Sequence, residues 1–380
     1  TPRYPENPDL DGRKGDRYSH PFMSIHSVGK SGIPGKGRYR LATAFVVGAV
    51  VAAGCGSSSP AKTATSSVAP VTVKLGYFPN ITHGVALVGV QNGTFARDLA
   101  PDKLDTSQTF NAGPAETQAL LSKAIDIAFI GPSPSISAFS QSNGAVKIIA
   151  GAASGGAGLV TKAAITSPAD LKGKTIATPQ LGNTQDVALR AYLKSQGLKT
   201  DLQGGGDVSI KPQSNSQTVT TFKAGSIDGA WVPEPFLSQL VAAGGHLLVD
   251  EKTLWPGGKF VTTDVLVRTD FLQAHPATVK RFLTGVVDTI ASIQSDASGA
   301  ATAANQQLTT LGSALPPAVL SSAFANITFT ADPLAASLQT EAANAAAAGL
   351  LTSPKLDGIF DLTLLNQVLK SKGQQEVAST

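Results

Sequence analysis

Ser133 and Ser135 stand near the end of a stretch, residues 125–135, that reads Ile-Asp-Ile-Ala-Phe-Ile-Gly-Pro-Ser-Pro-Ser. A short apolar run of buried-strand length breaks at Gly131-Pro132 and restarts with Ser133, Pro134 and Ser135 ahead of a helical pattern. Backbone N–H groups and hydroxyls at a fresh helix N-terminus favour an anion. The pattern recurs 102 residues later, where Ile125-Asp126-x-Ala128-Phe129-Ile130 is matched by Ile227-Asp228-x-Ala230-Trp231-Val232. Both copies follow a Lys-Ala pair and precede a proline-containing helix start, the second through Pro233-Glu234-Pro235. Two such units suggest two lobes, each offering one wall of a cleft. They equally fit two βα units of one sheet.

Other chemistry has little support in the residues. There are five His, and His20 and His26 lie in the first 54 residues. Cys55 is the one Cys, so no intramolecular disulfide framework is possible. No His/Cys/Asp/Glu cluster has metal spacing, so no metal and no cofactor are expected. A Gly-x-Ser-x-Gly elbow and a phosphate loop ending in Gly-Lys-Ser/Thr are both missing. Gln203-Gly204-Gly205-Gly206 lacks nucleotide-loop spacing and reads as a turn. No enzyme is expected.

The elements that must position the two units begin after an N-terminal region of a different kind. Residues 1–29 are polar without a core pattern; no Met stands at position 1, and Met23 reads as the true start. Lys30, Lys36, Arg38 and Arg40 precede the apolar run 41–53, giving the layout of a secretory signal. The run is too short and too Gly/Ala-rich for a membrane span. It ends at Val51-Ala52-Ala53-Gly54-Cys55, which resembles a bacterial lipobox, with Ala52 where Leu is usual. That resemblance implies a lipid on Cys55 and an extracytoplasmic place on the outer face of the cell membrane. Residues 56–70, rich in Ser, Ala, Thr and Pro, read as a flexible tether. Of 30 basic and 26 acidic residues, eight and four lie in the first 54, leaving 22 of each in the body. The body is near neutral, and no basic stripe with interleaved aromatics points to nucleic acid.

In chain order, strands are expected at 71–77, 105–110, 125–130 and 146–150, with helices between them, the first running through about Phe95. Alternation of this kind implies a parallel sheet with helices on both faces. The Gly/Ala/Ser-rich segment 151–158 reads as a break and crossover. Strands at 159–162, 175–178 and 208–211 follow, with helices through Tyr192 and Leu193 and over 216–224; Asn183 or Thr184 is the expected N-cap of the first. Residues 260–268 read as a returning strand. From Phe271 the chain reads as Ala-rich helices at 277–290, 298–311, 317–325, 333–349 and 361–370, wrapped on the first lobe.

Asp126-Ile-Ala-Phe-Ile-Gly-Pro, Asp170-Leu-Lys-Gly-Lys-Thr-Ile-Ala and Ile227-Asp-Gly-Ala-Trp-Val-Pro-Glu-Pro resemble signature stretches of the substrate-binding lipoproteins of ABC importers, in the group for nitrate, taurine and aliphatic sulfonates. The resemblance spans about residues 71–290. It implies an α/β, two-lobe type II periplasmic-binding-protein fold with a ligand cleft between lobes. Residues 71–158 and 260–380 would form the first lobe and 159–259 the second, after the 1–54 signal region and the 55–70 tether. It implies a monomer that closes on a small-molecule anion and delivers it to the membrane permease and ATPase subunits of an importer.

The resemblance also places the ligand between the turns at the carboxyl ends of the strands. Those turns are 77–83, 111–114, 131–135, 181–185 and 231–234, and none holds Lys or Arg. The residues it implicates are Tyr77, Phe78, Asn80, His83, Gly113, Pro132, Ser133, Ser135, Asn183, Thr184, Gln185, Trp231 and Glu234. The Ser, Asn, Thr and Gln side chains supply neutral donors that suit a sulfonate, while Tyr77, Phe78 and Trp231 would line its organic part. Glu234 would repel a simple anion and pair with an amine, as in taurine; it could instead cap its own helix. Nitrate or a thiamine-pyrimidine precursor is an alternative ligand. An enzyme of the thiamine-pyrimidine type, for which His83 is the one candidate in a cleft turn, is an alternative activity.

Overall fold

The computed structural model describes residues 69–379. The expected signal region, Cys55 and most of the tether lie outside the described residues. The chain opens with β1 (Thr72–Tyr77), α1 (Gly84–Gln91), α2 (Thr94–Leu99), β2 (Lys103–Thr109), α3 (Gly113–Leu121), β3 (Ile127–Ile130), α4 (Pro132–Gln141) and β4 (Val146–Gly155). It continues through β5 (Ala157–Thr161), β6 (Thr175–Thr178), α5 (Thr184–Ser195), β7 (Ser209–Pro212), α6 (Asn215–Lys223), β8 (Gly229–Pro233), α7 (Phe236–Ala242) and β9 (His246–Asp250). It returns in β10 (Val261–Arg268), α8 (Thr269–Ala274), α9 (Pro276–Ser295), α10 (Ala297–Thr310), α11 (Pro317–Ala325), β11 (Ile327–Phe329), α12 (Ala335–Ala347) and α13 (Thr363–Ser371).

The strands form two sheets, ordered β11-β4-β10-β3-β1-β2 and β7-β6-β8-β5-β9. β3 shows why the first holds together. All four of its residues are buried, because β10 and β1 pair on its two sides and helices cover both faces. Its side chains alternate, as a pleat requires. Ile127 and Phe129 enter a core with Phe95 of α2, Phe282 of α9 and Leu365 of α13, whereas Ala128 and Ile130 enter one with Leu120, Ile136 and Leu338. The rings of Phe95 and Phe282 stack at 4.9 Å. The second sheet is covered likewise. Leu159, Ile176 and Trp231 pack against Leu189 and Leu193 of α5, and Val160, Ala177 and Val232 pack against α6 and α7 through Phe222 and Leu240.

The sheets are not wholly parallel. β10 runs antiparallel between β3 and β4, and β5 runs antiparallel between β8 and β9. A strand returning from the other lobe enters from the opposite end, so it cannot be parallel to its neighbours. The Gly/Ala-rich segment 151–158 is not a break: β4 continues through Gly155, and only Gly155 and Gly156, with φ of 81° and 72°, turn the chain into β5. The small residues answer to packing. A Cβ on Gly151 would lie 2.2 Å from the carbonyl oxygen of Asp332. The first expected helix is also interrupted, by Gly93 at φ 67° between α1 and α2. The Ala-rich C-terminal helices do more than wrap the first lobe, since α11 packs on α7 and α12 sits between α4 and α5.

Gly151→Ala should therefore cost about 1–3 kcal/mol of stability, from backbone that must give way rather than from a lost contact. Urea denaturation of the two proteins would show it as a lower midpoint at unchanged slope; an unchanged midpoint would mean the 332–333 backbone moves freely.

Candidate functional site

Parallel strands carry their following helices away from one edge, so the turns after β1, β2, β3, β6, β7 and β8 gather there, joined by the start of the antiparallel β10. They enclose a narrow cleft between the two sheets. From the first sheet come Phe78, Asn80, Thr82, His83, Asn111, Gly113, Gly131, Pro134 and Thr262. From the second come Pro179, Asn183, Thr184, Gln185, Asn215 and Pro233. The N-termini of α3, α4, α5 and α6 all start at this edge, and each brings partial positive charge and unpaired N–H groups. None of the lining residues is an acid, a lysine or an arginine.

His83 adds no charge either. Burial pushes its imidazole down to about 3, so it is neutral at any physiological pH. Its Nδ1 accepts from the backbone N–H of Phe78 at 3.3 Å, which puts its own proton on Nε2 as a donor. The ring packs on Phe78 with centroids 4.2 Å apart.

The α5 end is built from its own sequence. Asn183 caps the helix, its Oδ1 accepting from the N–H of Asp186 at 2.9 Å, and its Nδ2 donates to Gln185 Oε1 at 2.9 Å. That leaves the Gln185 amide nitrogen as the donor. Asp186 is fully buried; it accepts from Thr178, Gly182 and Arg190 at 3.0 Å each, which locks the loop from β6 to α5. Thr184 Oγ1 is buried without a partner among the described residues.

The two walls touch. Asn111 Oδ1 accepts from the backbone N–H of Asn215 at 3.3 Å. Thr184 lies against the bare Cα of Gly131, where a Cβ would approach its Oγ1 to 2.3 Å. Gly131 is thus the residue that lets the turn after β3 meet α5.

Of the residues expected from the sequence, the structure brings Phe78, Asn80, His83, Gly113, Asn183, Thr184 and Gln185 to one cavity. The others are held elsewhere. Tyr77 is fully buried in the core beneath α10, its hydroxyl accepting from Gln307 Nε2 at 3.0 Å. Pro132 opens α4, but its neighbours Gly131 and Pro134 face the cleft instead. Ser133 Oγ donates to Glu341 of α12, and Ser135 Oγ donates back to the carbonyl of Gly131 at 3.0 Å. Trp231 points to the α5 side of β8, where its Nε1 donates to Glu251 at 2.7 Å. Glu234 accepts from Ser238 N–H and Oγ at 3.1 and 2.8 Å and from Asn326 Nδ2 at 2.7 Å. Its oxygens cap α7 and tie it to the first sheet, and it does not line the cleft.

Thr82, Asn111, Gly131, Pro134 and Pro233 fall inside expected turns without having been singled out. Pro179, Asn215 and Thr262 lie outside them. Asn215 had a readable signal: it stands between the expected strand 208–211 and the expected helix from 216, in the same strand–turn–helix arrangement as the other turns.

The partner of Ser133 belongs to a set of buried acids. Burial pushes Glu341 up to about 8 and Glu251 up to about 7, and the Glu251 charge raises Glu341 further. A carboxyl raised in the folded state holds its proton more tightly than the unfolded chain does. Its stabilising share is whole below the ordinary value of 4.5 and is gone once pH has risen through 7 and 8. Stability should fall between pH 5 and 8 with a slope of up to about 1.4 kcal/mol per pH unit per group. Glu341→Gln keeps a hydrogen bond with Ser133 and removes the titration. Denaturation midpoints at several pH values should show a shallower decline in that variant; an identical profile would place the slope in other groups.

Residues 66–307 match the NMT1-like family. The taurine-binding periplasmic protein of Escherichia coli K12 is 33% identical over 205 residues, which span 53% of this chain and 61% of that protein. The chain thus matches less than two thirds of the length of that relative. The alkanesulfonate-binding protein SsuA of Xanthomonas axonopodis pv. citri, bound to MOPS, superposes with a TM-score of 0.63 at 21% identity, covering 76% of this chain and 96% of that one. The periplasmic nitrate-binding protein NrtA of Synechocystis PCC 6803 gives a TM-score of 0.67 at 17% identity, covering 80% of this chain and 89% of that one. With two α/β lobes facing each other across a cleft of strand-end turns, and with residues 66–307 matched, the chain belongs to the NMT1-like family and has the two-lobe periplasmic-binding-protein fold.

Proposed function

We propose that the protein is the extracytoplasmic solute-binding component of an ABC importer and carries a small organic anion, an aliphatic sulfonate or taurine. The observation that carries this reading is the charge-free cleft on which four helix N-termini converge. A sulfonate has no proton of its own near neutral pH and needs several donors rather than one counter-ion. Thr184, the Gln185 amide and the His83 Nε2–H supply neutral donors, and Phe78 offers an apolar face for the carbon end. The likeness to the E. coli taurine-binding protein supports the same class.

Residues 71–158 with 260–380 and residues 159–259 act as the two closing lobes, except that Ala157 and Gly158 pair within the second sheet, with the hinge at Gly155–Gly156 and the segment before β10. A lipid on Cys55 tethers the body to the outer face of the membrane beside the permease and ATPase subunits. The enzyme alternative is weakened by His83 itself: an imidazole held near 3 is a poor general base at neutral pH.

Calorimetric titration of ethanesulfonate, taurine and nitrate into the protein tests the ligand class. A sulfonate should bind, and at about 100 times its dissociation constant it should raise unfolding stability by about 2.7 kcal/mol. Absence of binding by both sulfonates would overturn the reading. The anchor is tested apart from the ligand. Cys55→Ser expressed in a bacterial host should move the protein out of the membrane fraction, and a wild type already free and unacylated would remove the tether.

A further inference from the structure

We propose that Asn215 is the residue by which the second lobe selects its ligand, taking a hydrogen bond from an N–H carried beyond the anionic group, so that the preferred class is aminoalkanesulfonates over plain alkanesulfonates. The inference rests on the sulfonate reading above.

Asn215 is the first residue of the nine-residue α6 and is 2% exposed. Its backbone is pinned from across the cleft, where Asn111 accepts from its N–H at 3.3 Å. Its side chain is a different matter. It lines the cavity, its Oδ1 is enclosed, and that oxygen has no partner among the described residues. Buried amide carbonyls are nearly always paired, because water is lost on burial and must be replaced. In a cavity whose other polar lining side chains are hydroxyls, amides and one neutral imidazole, the missing donor is one the ligand can bring.

Glu234 does not supply this acceptor, since it is outside the cavity lining and turned to Ser238 and Asn326. Thr184, also enclosed and unpartnered, stands at the α5 N-terminus and suits the oxygen end of the ligand. The two unpartnered groups thus divide the work: Thr184 takes the anion and Asn215 takes the donor. An alkyl end placed against Asn215 would leave its carbonyl unpaired, and a site built to bond a group rejects the analogue that lacks it.

Taurine and ethanesulfonate differ only by the amine, so their ratio reads the proposal. Both are titrated by calorimetry into wild type, Asn215→Leu and Asn215→Asp. Wild type should bind taurine about tenfold or more tightly than ethanesulfonate. Asn215→Leu should bring the two close together by weakening taurine alone. Asn215→Asp, isosteric and charged, should widen the preference by excluding ethanesulfonate, and it decides the question should the leucine variant fail to fold. A ratio unchanged across the three proteins, a wild type with no taurine preference, or equal loss of both ligands in folded variants would each overturn the role of Asn215 while leaving the sulfonate reading intact. A wild type that binds neither compound overturns both.

Discussion

The hydroxyl of Thr262 donates to the carbonyl of Gly155 at 2.6 Å, and this bond joins the two strands by which the chain passes between the lobes. β4 leaves the first sheet at Gly155 and β10 re-enters it at Val261, paired side by side. Because β10 is inserted between β3 and β4, the second lobe is tied at both ends to the middle of the first sheet. This fixes which edges face each other. The strand-end turns of one lobe look onto those of the other, and the helix N-termini that follow them converge on one volume. Thr262 itself lines the cleft, so the crossing and the site share a residue.

Charge is distributed so as to leave that volume empty of it. Asp186 and Arg190 form a buried ion pair behind the α5 N-terminus, where the acid also collects Thr178 and Gly182. Glu234 is absorbed in capping α7 and bonding Asn326, which ties the second lobe to the segment before β11. Glu341 and Glu251 lie on the α12 side, bonded to Ser133 and Trp231. Glu116 and Asp264 are buried without partners among the described residues, and burial pushes both well above the ordinary carboxyl range. What remains at the cleft is dipoles: N–H groups at helix starts, amides, hydroxyls and an imidazole with a fixed tautomer. Such a site offers many modest donors and no full counter-charge, which is the feature on which the proposed anion binding rests.

Much of this was legible in the sequence, and the part that was not has one cause. The strand–turn–helix units, the N-cap role of Asn183, the turns that meet at the cleft and the absence of basic residues there follow from local chemistry: apolar runs of strand length, breakers, and capping side chains that bond within three residues. The family resemblance rested on the same local stretches. Asn215 went unnamed although its position obeyed the same rule. The returning strand at 260–268 was legible as β10, but its antiparallel place between β3 and β4 and the short β9 and β11 were not, since these depend on pairing with strands distant along the chain.

Which polar side chain serves the cleft was decided by tertiary structure alone. Ser133, Tyr77 and Glu234 looked available because nothing nearby in sequence bonds all of their polar atoms. Their partners are Glu341, Gln307 and Asn326, which lie 208, 230 and 92 residues away. A buried polar group must be paired, and the folded chain supplies its partner from whichever element packs against it. The sequence alone therefore determined where the turns are and that they carry neither Lys nor Arg. The packing of α7, α10, α11 and α12 determined which of their side chains were taken, while Thr184 and Asn215 line the cleft with a polar atom that has no partner among the described residues.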